Sequence, residues 1–386
     1  MTNSFKTGMI RATELTQAGK LKEATALIQS FLVPQSTGPA AVVPDSDAIE
    51  GTFTRLDAAA PVHAPKAKAR KPASPTRRGL AETLRTIAAG GMRKSAPHAR
   101  KPMQALPGAQ FLALTYASAQ GNRDYRLYIP ANQPGTPMPL IVMLHGCTQS
   151  PEDFAAGTGM NALAEEFGCL VAYPAQPSGA NAQKCWNWFR AEDQGRDHGE
   201  PALIAGITKD ILRSQNADPT RVYIAGLSAG GAAAAIMAAA YPDLFAAVGV
   251  HSGLAMGAAQ DIPSAFSAMR SGASGKPQTS TVPTIVFHGL ADTTVHPSNG
   301  AAVIAQATRP QPGKSLAKDG GTSAGGRRFH RTRHTTADGR LMAEHWEIEG
   351  AGHAWAGGST EGTYTDPAGP DASREMLRFF RLHAQD

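Results

Sequence analysis

The chain has few cysteines and no long hydrophobic run, and each shortage excludes a class of protein. Three cysteines, Cys147, Cys169 and Cys185, are too few for a disulfide-stapled fold in 386 residues, although one pair could form. No run of about 18 apolar residues occurs, so the sequence predicts no membrane-spanning helix. Charged side chains interrupt the apolar positions of residues 1–32, and we expect no secretory signal peptide there.

Two kinds of functional motif are also missing from the sequence. No Cys and His pair has the spacing of a zinc site, and no Gly-x-x-x-x-Gly-Lys phosphate-binding loop occurs. The sequence therefore predicts chemistry without a metal ion, and we expect no cofactor.

The net charge of +6 comes from one segment of the chain. Residues 64–101 contain eleven of the 37 Lys and Arg residues and one acidic residue, so the remainder of the chain is mildly acidic. A basic segment of this kind can bind an anionic surface, but most such segments are solvated linkers. We expect no nucleic-acid partner.

The sequence divides into three regions with different patterns. Residues 1–33 have two short apolar periodicities separated at Gly19, which predicts a helical hairpin. Residues 34–107 are rich in Pro, Ala and basic residues, and they predict a mostly disordered linker. Residues 108–386 alternate strand-like and helical patterns, which predicts one α/β domain.

Within this third region, short apolar runs predict strands and longer periodic or Ala-rich runs predict helices. The predicted strands are residues 111–116, 125–129, 140–144, 169–173, 221–225, 246–250, 284–288 and 343–348. The predicted helices are residues 154–167, 201–215, 231–240, 300–307 and 372–383. This alternation predicts an α/β fold with a mostly parallel, doubly wound sheet.

One short motif lies between a predicted strand and an Ala-rich predicted helix: Gly226-Leu227-Ser228-Ala229-Gly230. A Gly-x-Ser-x-Gly in this position is typical of a nucleophile elbow, a tight turn in which the serine takes a strained backbone conformation. The glycines are needed because a Cβ would collide with the neighbouring strand and helix. We predict that Ser228 is the nucleophile; the alternative is an ordinary helix N-cap.

An acid and a histidine follow this serine in the order that such folds require. Asp292 comes after the predicted strand 284–288, and His353 follows the strand 343–348 between small residues. We predict that His353 takes the proton of Ser228 and that Asp292 orients the imidazole ring.

Other acids and histidines are weaker candidates for these roles. Asp261 and Asp319 are alternatives for the acid. His288 ends a strand and is expected to support the loop that carries Asp292. The remaining histidines in charged stretches are expected to be solvated surface residues: His330, His334 and His345.

The negative oxygen of a tetrahedral intermediate needs hydrogen-bond donors that are fixed in advance. One predicted donor is the backbone N–H of Ala229, the residue after the nucleophile. The second is predicted in the loop after strand 140–144, where we choose the N–H of Cys147. His145, in the same loop, is expected to orient it, the alternative being a turn with no role.

Aromatic residues cluster in the segment Cys185-Trp186-Asn187-Trp188-Phe189, and Trp355 lies beside the predicted histidine. We predict that Trp186, Trp188 and Trp355 form an aromatic wall near the substrate, with core packing as the equal alternative. A Cys147–Cys185 disulfide would join the oxyanion loop to this wall in an oxidising compartment.

With these motifs, the chain resembles the poly(3-hydroxybutyrate) depolymerase family of esterases, which is related to feruloyl and acetylxylan esterases. The matching segments are residues 144–149, 185–188, 226–231, 288–292 and 352–355. The resemblance implies an α/β-hydrolase fold and a serine carboxylesterase that acts on short-chain poly- or oligo(3-hydroxybutyrate)-type esters. It implies Ser228, Asp292 and His353 as the triad, with the loop from His145 to Thr148 at the oxyanion hole and in contact with substrate.

The resemblance leaves alternatives open. A feruloyl- or acetylxylan-type esterase is the alternative activity, and a serine peptidase of the same fold would need additional structure to hold a peptide. A granule- or surface-associated binding protein with an inactive core is the non-enzymatic alternative. The family implies an extracellular setting, whereas the lack of a visible signal peptide favours the cytoplasm. The expected partner is a small ester or a polyester, and the oligomeric state stays open.

Overall fold

The computed structural model describes residues 107–133, 135–273, 278–309 and 315–385. The predicted helical hairpin (1–33) and all but the last residue of the predicted linker (34–107) lie outside the described residues. Among the helices of the described part, none is long and apolar enough to cross a bilayer.

A ten-stranded sheet forms the centre of the described domain. Its strands are β1 (Gln110–Ser118), β2 (Gly121–Ile129), β3 (Met138–Leu144), β4 (Leu170–Pro174), β5 (Ala217–Leu227), β6 (Ala247–His251), β7 (Thr284–Gly289), β8 (Ser315–Thr322), β9 (Arg328–Thr335) and β10 (Leu341–Ile348). The order across the sheet is β1-β2-β4-β3-β5-β6-β7-β10-β9-β8. The six strands in the middle of this order run parallel: β4, β3, β5, β6, β7 and β10. An antiparallel hairpin extends each edge, β1 and β2 beside β4, and β8 and β9 beside β10. The predicted α/β-hydrolase sheet is confirmed.

Helices cover both faces of this sheet. They are α1 (Pro151–Thr158), α2 (Met160–Phe167), α3 (Gly199–Ser214), α4 (Ala229–Ala240), α5 (Ile262–Ser271), α6 (Ser298–Thr308) and α7 (Ala372–Phe380). Alternate residues of β3 enter two separate cores, because successive side chains of a strand point to opposite faces. Leu140 and Val142 pack on the side of α3 and α4, whereas Ile141 and Met143 pack on the side of α1, α2 and α7.

One local prediction was wrong, and two elements were not predicted. The single helix predicted at residues 154–167 is two helices, because Gly159 adopts a left-handed conformation (φ 64°) between them. Helix α5 was not predicted; it begins at its N-cap Asp261, whose carboxylate accepts a hydrogen bond from the N–H of Ser264 at 2.8 Å. Asp261 is therefore a capping residue and not a catalytic acid.

The hairpin of β8 and β9 was also not predicted, because its charged side chains interrupt the apolar pattern that is typical of a strand. Arg331 and Arg333 of β9 both bind the carboxylate of Asp319 on β8, at 2.8 and 2.9 Å. Asp319 thus stabilises the hairpin and is no alternative for the catalytic acid. Phe329 faces the core beside Trp346, with ring centroids 4.8 Å apart.

The register of the parallel strands brings their carboxyl ends to one edge of the sheet. Leu144 of β3 lies opposite Gly226 of β5, and Leu227 lies opposite His251 of β6. Ile348 of β10 lies opposite Gly289 of β7. Residues that follow these strands therefore emerge at the same edge, where α/β folds place their binding sites.

Candidate active site

Ser228 occupies a strained turn between β5 and α4. Its backbone has φ 58° and ψ −118°, a conformation that non-glycine residues rarely adopt, and its side chain makes no capping hydrogen bond to α4. The turn requires its glycines: a Cβ on Gly226 would lie 2.3 Å from the backbone of Gly230, and a Cβ on Gly230 would lie 2.1 Å from the carbonyl oxygen of Leu144. This geometry is that of a nucleophile elbow and not of an ordinary N-cap.

Asp292 and His353, which are 61 residues apart, form a hydrogen bond at the edge of the sheet. Nδ1 of His353 lies 2.7 Å from Oδ2 of Asp292. The other carboxylate oxygen accepts hydrogen bonds from the N–H groups of Thr294 and Val295, at 2.8 and 2.9 Å. With its Nδ1–H donated to the carboxylate, His353 retains Nε2 as the nitrogen that can accept a proton.

The environment of Asp292 keeps its carboxyl group ionised. Burial alone would raise the pKa of Asp292, but the hydrogen bond and charge of His353 and the two backbone N–H groups lower this pKa below its ordinary value. An ionised carboxylate at this position stabilises the imidazolium form of His353, which a general base needs after it takes a proton.

Backbone hydrogen bonds fix the loop of Asp292 against the loop of His353. The N–H of Leu290 donates to the carbonyl of Ile348 and the N–H of Ala291 to that of Ala351, both at 2.9 Å. A Cβ on Gly289 would lie 2.3 Å from the carbonyl oxygen of Ala351, so this close approach requires glycine.

His251, a residue that the sequence analysis missed, links the elbow to the histidine loop. Its carbonyl oxygen accepts the N–H of Ser228 at 2.9 Å, and its ring Nε2 accepts the N–H of Ala356 at 3.0 Å. The ring is 1% exposed and stacks on Trp355, with centroids 5.1 Å apart. A histidine that ends a buried apolar strand at this edge is the signal that could have identified it.

The ring of His251 is held neutral. Burial, with smaller contributions from His288 and His353, lowers its pKa to about 3. Because Nε2 accepts a hydrogen bond, the proton is on Nδ1, which lies 3.2 Å from the hydroxyl of Ser252.

The buried ring of His145 orients the predicted oxyanion loop through hydrogen bonds. Its Nε2 accepts the N–H of Gln176 at 3.1 Å, so its Nδ1–H donates to the carbonyl of Gly146 at 2.8 Å. Burial lowers the pKa of His145 to about 4, and the ring is neutral. Because His145 is fully buried, it positions the loop, and the predicted direct contact with substrate does not fit its place.

The two predicted oxyanion donors have free N–H groups. In the part of the chain that the structure describes, no protein acceptor takes the N–H of Cys147 or of Ala229. The two segments are adjacent, because a Cβ on Gly146 would lie 3.5 Å from the carbonyl oxygen of Leu227.

A disulfide joins the oxyanion loop to the aromatic segment. Cys147 and Cys185 are bonded, as the sequence analysis considered, and the remaining cysteine, Cys169, is buried and free. The N–H of Thr148 also donates to the carbonyl of Gln183 at 2.6 Å. Thr148 itself is exposed at the edge of the sheet.

Burial contradicts the predicted aromatic wall. Trp186 is 0% exposed and donates its ring N–H to the carbonyl of His145 at 3.1 Å. Trp355 is 1% exposed and donates to the hydroxyl of Ser373 at 3.0 Å. Trp188 is buried as well. These tryptophans pack the core beneath the site, which is the alternative that the sequence left open.

A buried carboxylate, also missed from the sequence, supports the aromatic segment. Glu200 accepts the backbone N–H and the side-chain amide of Asn187, both at 2.7 Å, and it also accepts the amide of Gln176. Burial raises the pKa of Glu200 above its ordinary value. Through the backbone N–H of Gln176 this network reaches His145, so it positions the oxyanion loop.

The remaining histidines divide into buried and exposed ones. His288 has Nε2 2.9 Å from the carbonyl oxygen of Val295 and 3.6 Å from the Asp292 carboxylate, as expected of a residue that supports that loop. His330 is exposed and pairs with Glu349 at 2.8 Å. His345 is buried, so its prediction as a surface residue was wrong, and burial lowers its pKa to about 4. His334, on β9, is partly exposed.

Comparisons with known proteins match the domain that carries this site. The family model described as esterase PHB depolymerase matches residues 123–336, which include Ser228 and Asp292. Poly(3-hydroxyalkanoate) depolymerase C from Paucimonas lemoignei is 33% identical over 299 residues, or 72% of this chain and 68% of that protein. Feruloyl esterase B from Thermothelomyces thermophilus is 32% identical over 196 residues, or 46% of this chain and 66% of that protein.

A solved structure has the same fold. The acetyl xylan esterase from Aspergillus awamori superimposes with a TM-score of 0.52 at 20% identity, covering 71% of this chain and 99% of that one. This similarity shows the α/β-hydrolase fold.

Proposed function

The chain belongs to the esterase PHB depolymerase family, and we propose that it hydrolyses carboxylic esters through an acyl-enzyme on Ser228. The observation that carries this proposal is the 2.7 Å hydrogen bond between Asp292 and His353, at the sheet edge where Ser228 occupies a nucleophile elbow. An inactive binding protein would have no need of an ionised carboxylate, an oriented imidazole and a strained serine together.

In the first half of the reaction, Nε2 of His353 takes the proton of the Ser228 hydroxyl while Oγ forms a bond to the ester carbonyl carbon. The carbonyl electron pair moves to the oxygen, which accepts hydrogen bonds from the N–H groups of Cys147 and Ala229. The intermediate then expels the alcohol, which receives the proton from His353, and the acyl group stays on Ser228.

In the second half, water repeats these steps on the acyl-enzyme. His353 takes a proton from the water, the hydroxyl oxygen bonds to the acyl carbon, and the acid leaves as Ser228 regains its proton. Asp292 holds the imidazole in one tautomer throughout and stabilises its charged form.

We propose esters of short-chain 3-hydroxyalkanoic acids as the substrates. The relative named poly(3-hydroxyalkanoate) depolymerase C, with 33% identity over most of this chain, supports this class. The relative named feruloyl esterase B, at 32% identity over a shorter region, favours aromatic-acid esters as the second candidate. The disulfide between Cys147 and Cys185 supports an oxidising, extracellular location.

Hydrolysis of p-nitrophenyl butyrate by the full chain tests the activity. We expect turnover by the wild type and its loss in Ser228→Ala, with an unchanged circular dichroism spectrum. A panel of 3-hydroxybutyrate oligomers, methyl ferulate and tributyrin then separates the substrate classes. Full activity of Ser228→Ala would refute the assignment of the nucleophile, and no turnover of any ester would favour a binding protein.

A further inference from the structure

Two hydroxyl groups from distant parts of the chain meet beside the oxyanion loop. The Thr148 Oγ1 and the Tyr364 hydroxyl oxygen are 2.8 Å apart, although 216 residues separate them in sequence. Thr148 is exposed and Tyr364 is half-buried. Both adopt left-handed backbone conformations, with φ 66° and φ 54°, which are rare for a threonine or a tyrosine. Strained residues of this kind concentrate at functional sites, where the surrounding structure holds them in place.

Each hydroxyl is attached to a segment that carries a proposed catalytic group. Thr148 directly follows Cys147, whose N–H is a proposed oxyanion donor. The carbonyl of Tyr364 accepts the N–H of Trp355 at 2.7 Å, and Trp355 lies two residues after His353. The hydroxyl pair therefore bridges the oxyanion loop and the histidine loop.

Buried polar contacts hold the Tyr364 segment rigidly against α1 and the oxyanion loop. The side-chain amide of Gln149 donates to the carbonyl of Thr363 at 3.1 Å and to the carboxylate of Asp153 at 3.0 Å. The N–H of Thr363 donates to the same carboxylate at 3.1 Å. This network fixes the residue before Tyr364, so the hydroxyl pair is preorganised before any ligand arrives.

The pair has hydrogen-bonding capacity that the protein does not use. Among the described residues, neither the Thr148 nor the Tyr364 hydroxyl has another hydrogen-bond partner. Their mutual bond uses one of two hydroxyl hydrogens. Whichever oxygen donates, one O–H donor and several lone pairs remain for a ligand.

We propose that the Thr148–Tyr364 hydroxyl pair binds the oxygen atom on C3 of a 3-hydroxyacyl ester, and so selects hydroxyacyl over plain acyl substrates. This inference rests on the proposed function. One residue step, about 3.8 Å between Cα atoms, separates Thr148 from the oxyanion donor at Cys147. Two carbon–carbon bonds separate the carbonyl carbon from C3 in the substrate, so a carbonyl oxygen bound at Cys147 brings the C3 oxygen within reach of the pair.

The expected selectivity is modest, because water replaces the missing hydroxyl when a plain acyl group binds at an exposed site. A neutral hydrogen bond in such a place is worth about a fivefold preference. A fully enclosed site would select far more strongly, since its polar groups would stay unpaired with the wrong substrate.

The test compares p-nitrophenyl 3-hydroxybutyrate with p-nitrophenyl butyrate, which differ only in the C3 hydroxyl. We expect a kcat/KM ratio of about five in favour of the hydroxyacyl ester for the wild type. Thr148→Val and Tyr364→Phe, which each remove one hydroxyl and keep the shape of the side chain, should both bring the ratio towards one. Thr360→Val removes an exposed hydroxyl from the same loop, one that makes no hydrogen bond to the described residues, and it should keep the wild-type ratio.

A wild-type ratio near one, or variants that keep the wild-type ratio, would overturn the proposal. If the variants fail to fold, competitive inhibition of the wild type decides instead. We expect 3-hydroxybutyrate to inhibit about five times more strongly than butyrate, and equal inhibition would contradict the inference. A wild type that hydrolyses both esters equally well, with its hydrolysis still dependent on Ser228, would refute this inference alone, whereas hydrolysis independent of Ser228 would refute the proposed function.

Discussion

Replacing His251 by phenylalanine tests whether the bridge between the elbow and the histidine loop contributes to catalysis. The substitution keeps a flat ring beside Trp355 and the backbone carbonyl that binds Ser228. It removes the Nε2 acceptor, so the N–H of Ala356 loses its partner in a buried place. Because Ala356 lies three residues after His353, the change acts directly on the loop that carries the base.

The substitution is expected to lower both the stability of the domain and the rate of the reaction. A buried N–H without a partner costs about 1–3 kcal/mol of the free energy of unfolding, which lowers Tm by roughly 2–10 °C in a domain of this size. Displacement of a catalytic group by about 1 Å lowers the rate by about 100-fold. We therefore expect His251→Phe to reduce kcat by about 10- to 100-fold, with KM nearly unchanged.

His251→Gln is the matched control, because the glutamine side-chain oxygen can occupy the place of Nε2 and restore the acceptor. We expect it to recover most of kcat, as measured with p-nitrophenyl butyrate beside thermal unfolding of each variant. A catalytic role for the bridge would be refuted if His251→Phe lowered Tm but kept the wild-type kcat, since the bridge would then serve stability alone.

Three further predictions concern the acid, the disulfide and the buried histidines. Asp292→Asn should lower kcat by about 10⁴-fold in stopped assays with the fold retained, and a loss below tenfold would place the acid elsewhere. Cys185→Ser opens a 38-residue loop closed through Cys147, and urea unfolding should show a loss of about 4 kcal/mol; an unchanged midpoint would contradict this. Histidines such as His145 and His345 have a folded pKa of about 4, so the unfolded chain binds more protons below about pH 6.5. The free energy of unfolding should therefore fall by about 1.4 kcal/mol per pH unit for each such histidine as the pH is lowered from 6.5 to 4. A Tm that does not change across that range would contradict this prediction.

The elbow and the order of acid and base could be predicted from sequence because local chemistry determines both. The glycines around Ser228 are required by backbone contacts within a few residues and by the neighbouring strand. Asp292 and His353 follow apolar runs, and the carboxyl ends of parallel strands share an edge.

The features that the sequence analysis missed depend on partners far along the chain. The charged pattern of β9 reads as a polar loop until Asp319 and Glu349 are seen to neutralise its arginines. The sequence does not distinguish a tryptophan that binds substrate from one that fills the core. Only the burial of Trp186 and Trp355 decides between these two roles. The role of His251 likewise depends on Ala356, which lies 105 residues away.

The proposed mechanism requires that Ser228 is the residue that becomes acylated. A fluorophosphonate forms a covalent bond to an activated serine, and peptide mapping of the labelled full chain measures this most directly. We predict one label per chain, on the peptide that contains Ser228, with hydrolysis of p-nitrophenyl butyrate lost in proportion to labelling. A label on another residue, or full activity in a chain labelled at Ser228, would contradict the proposed mechanism.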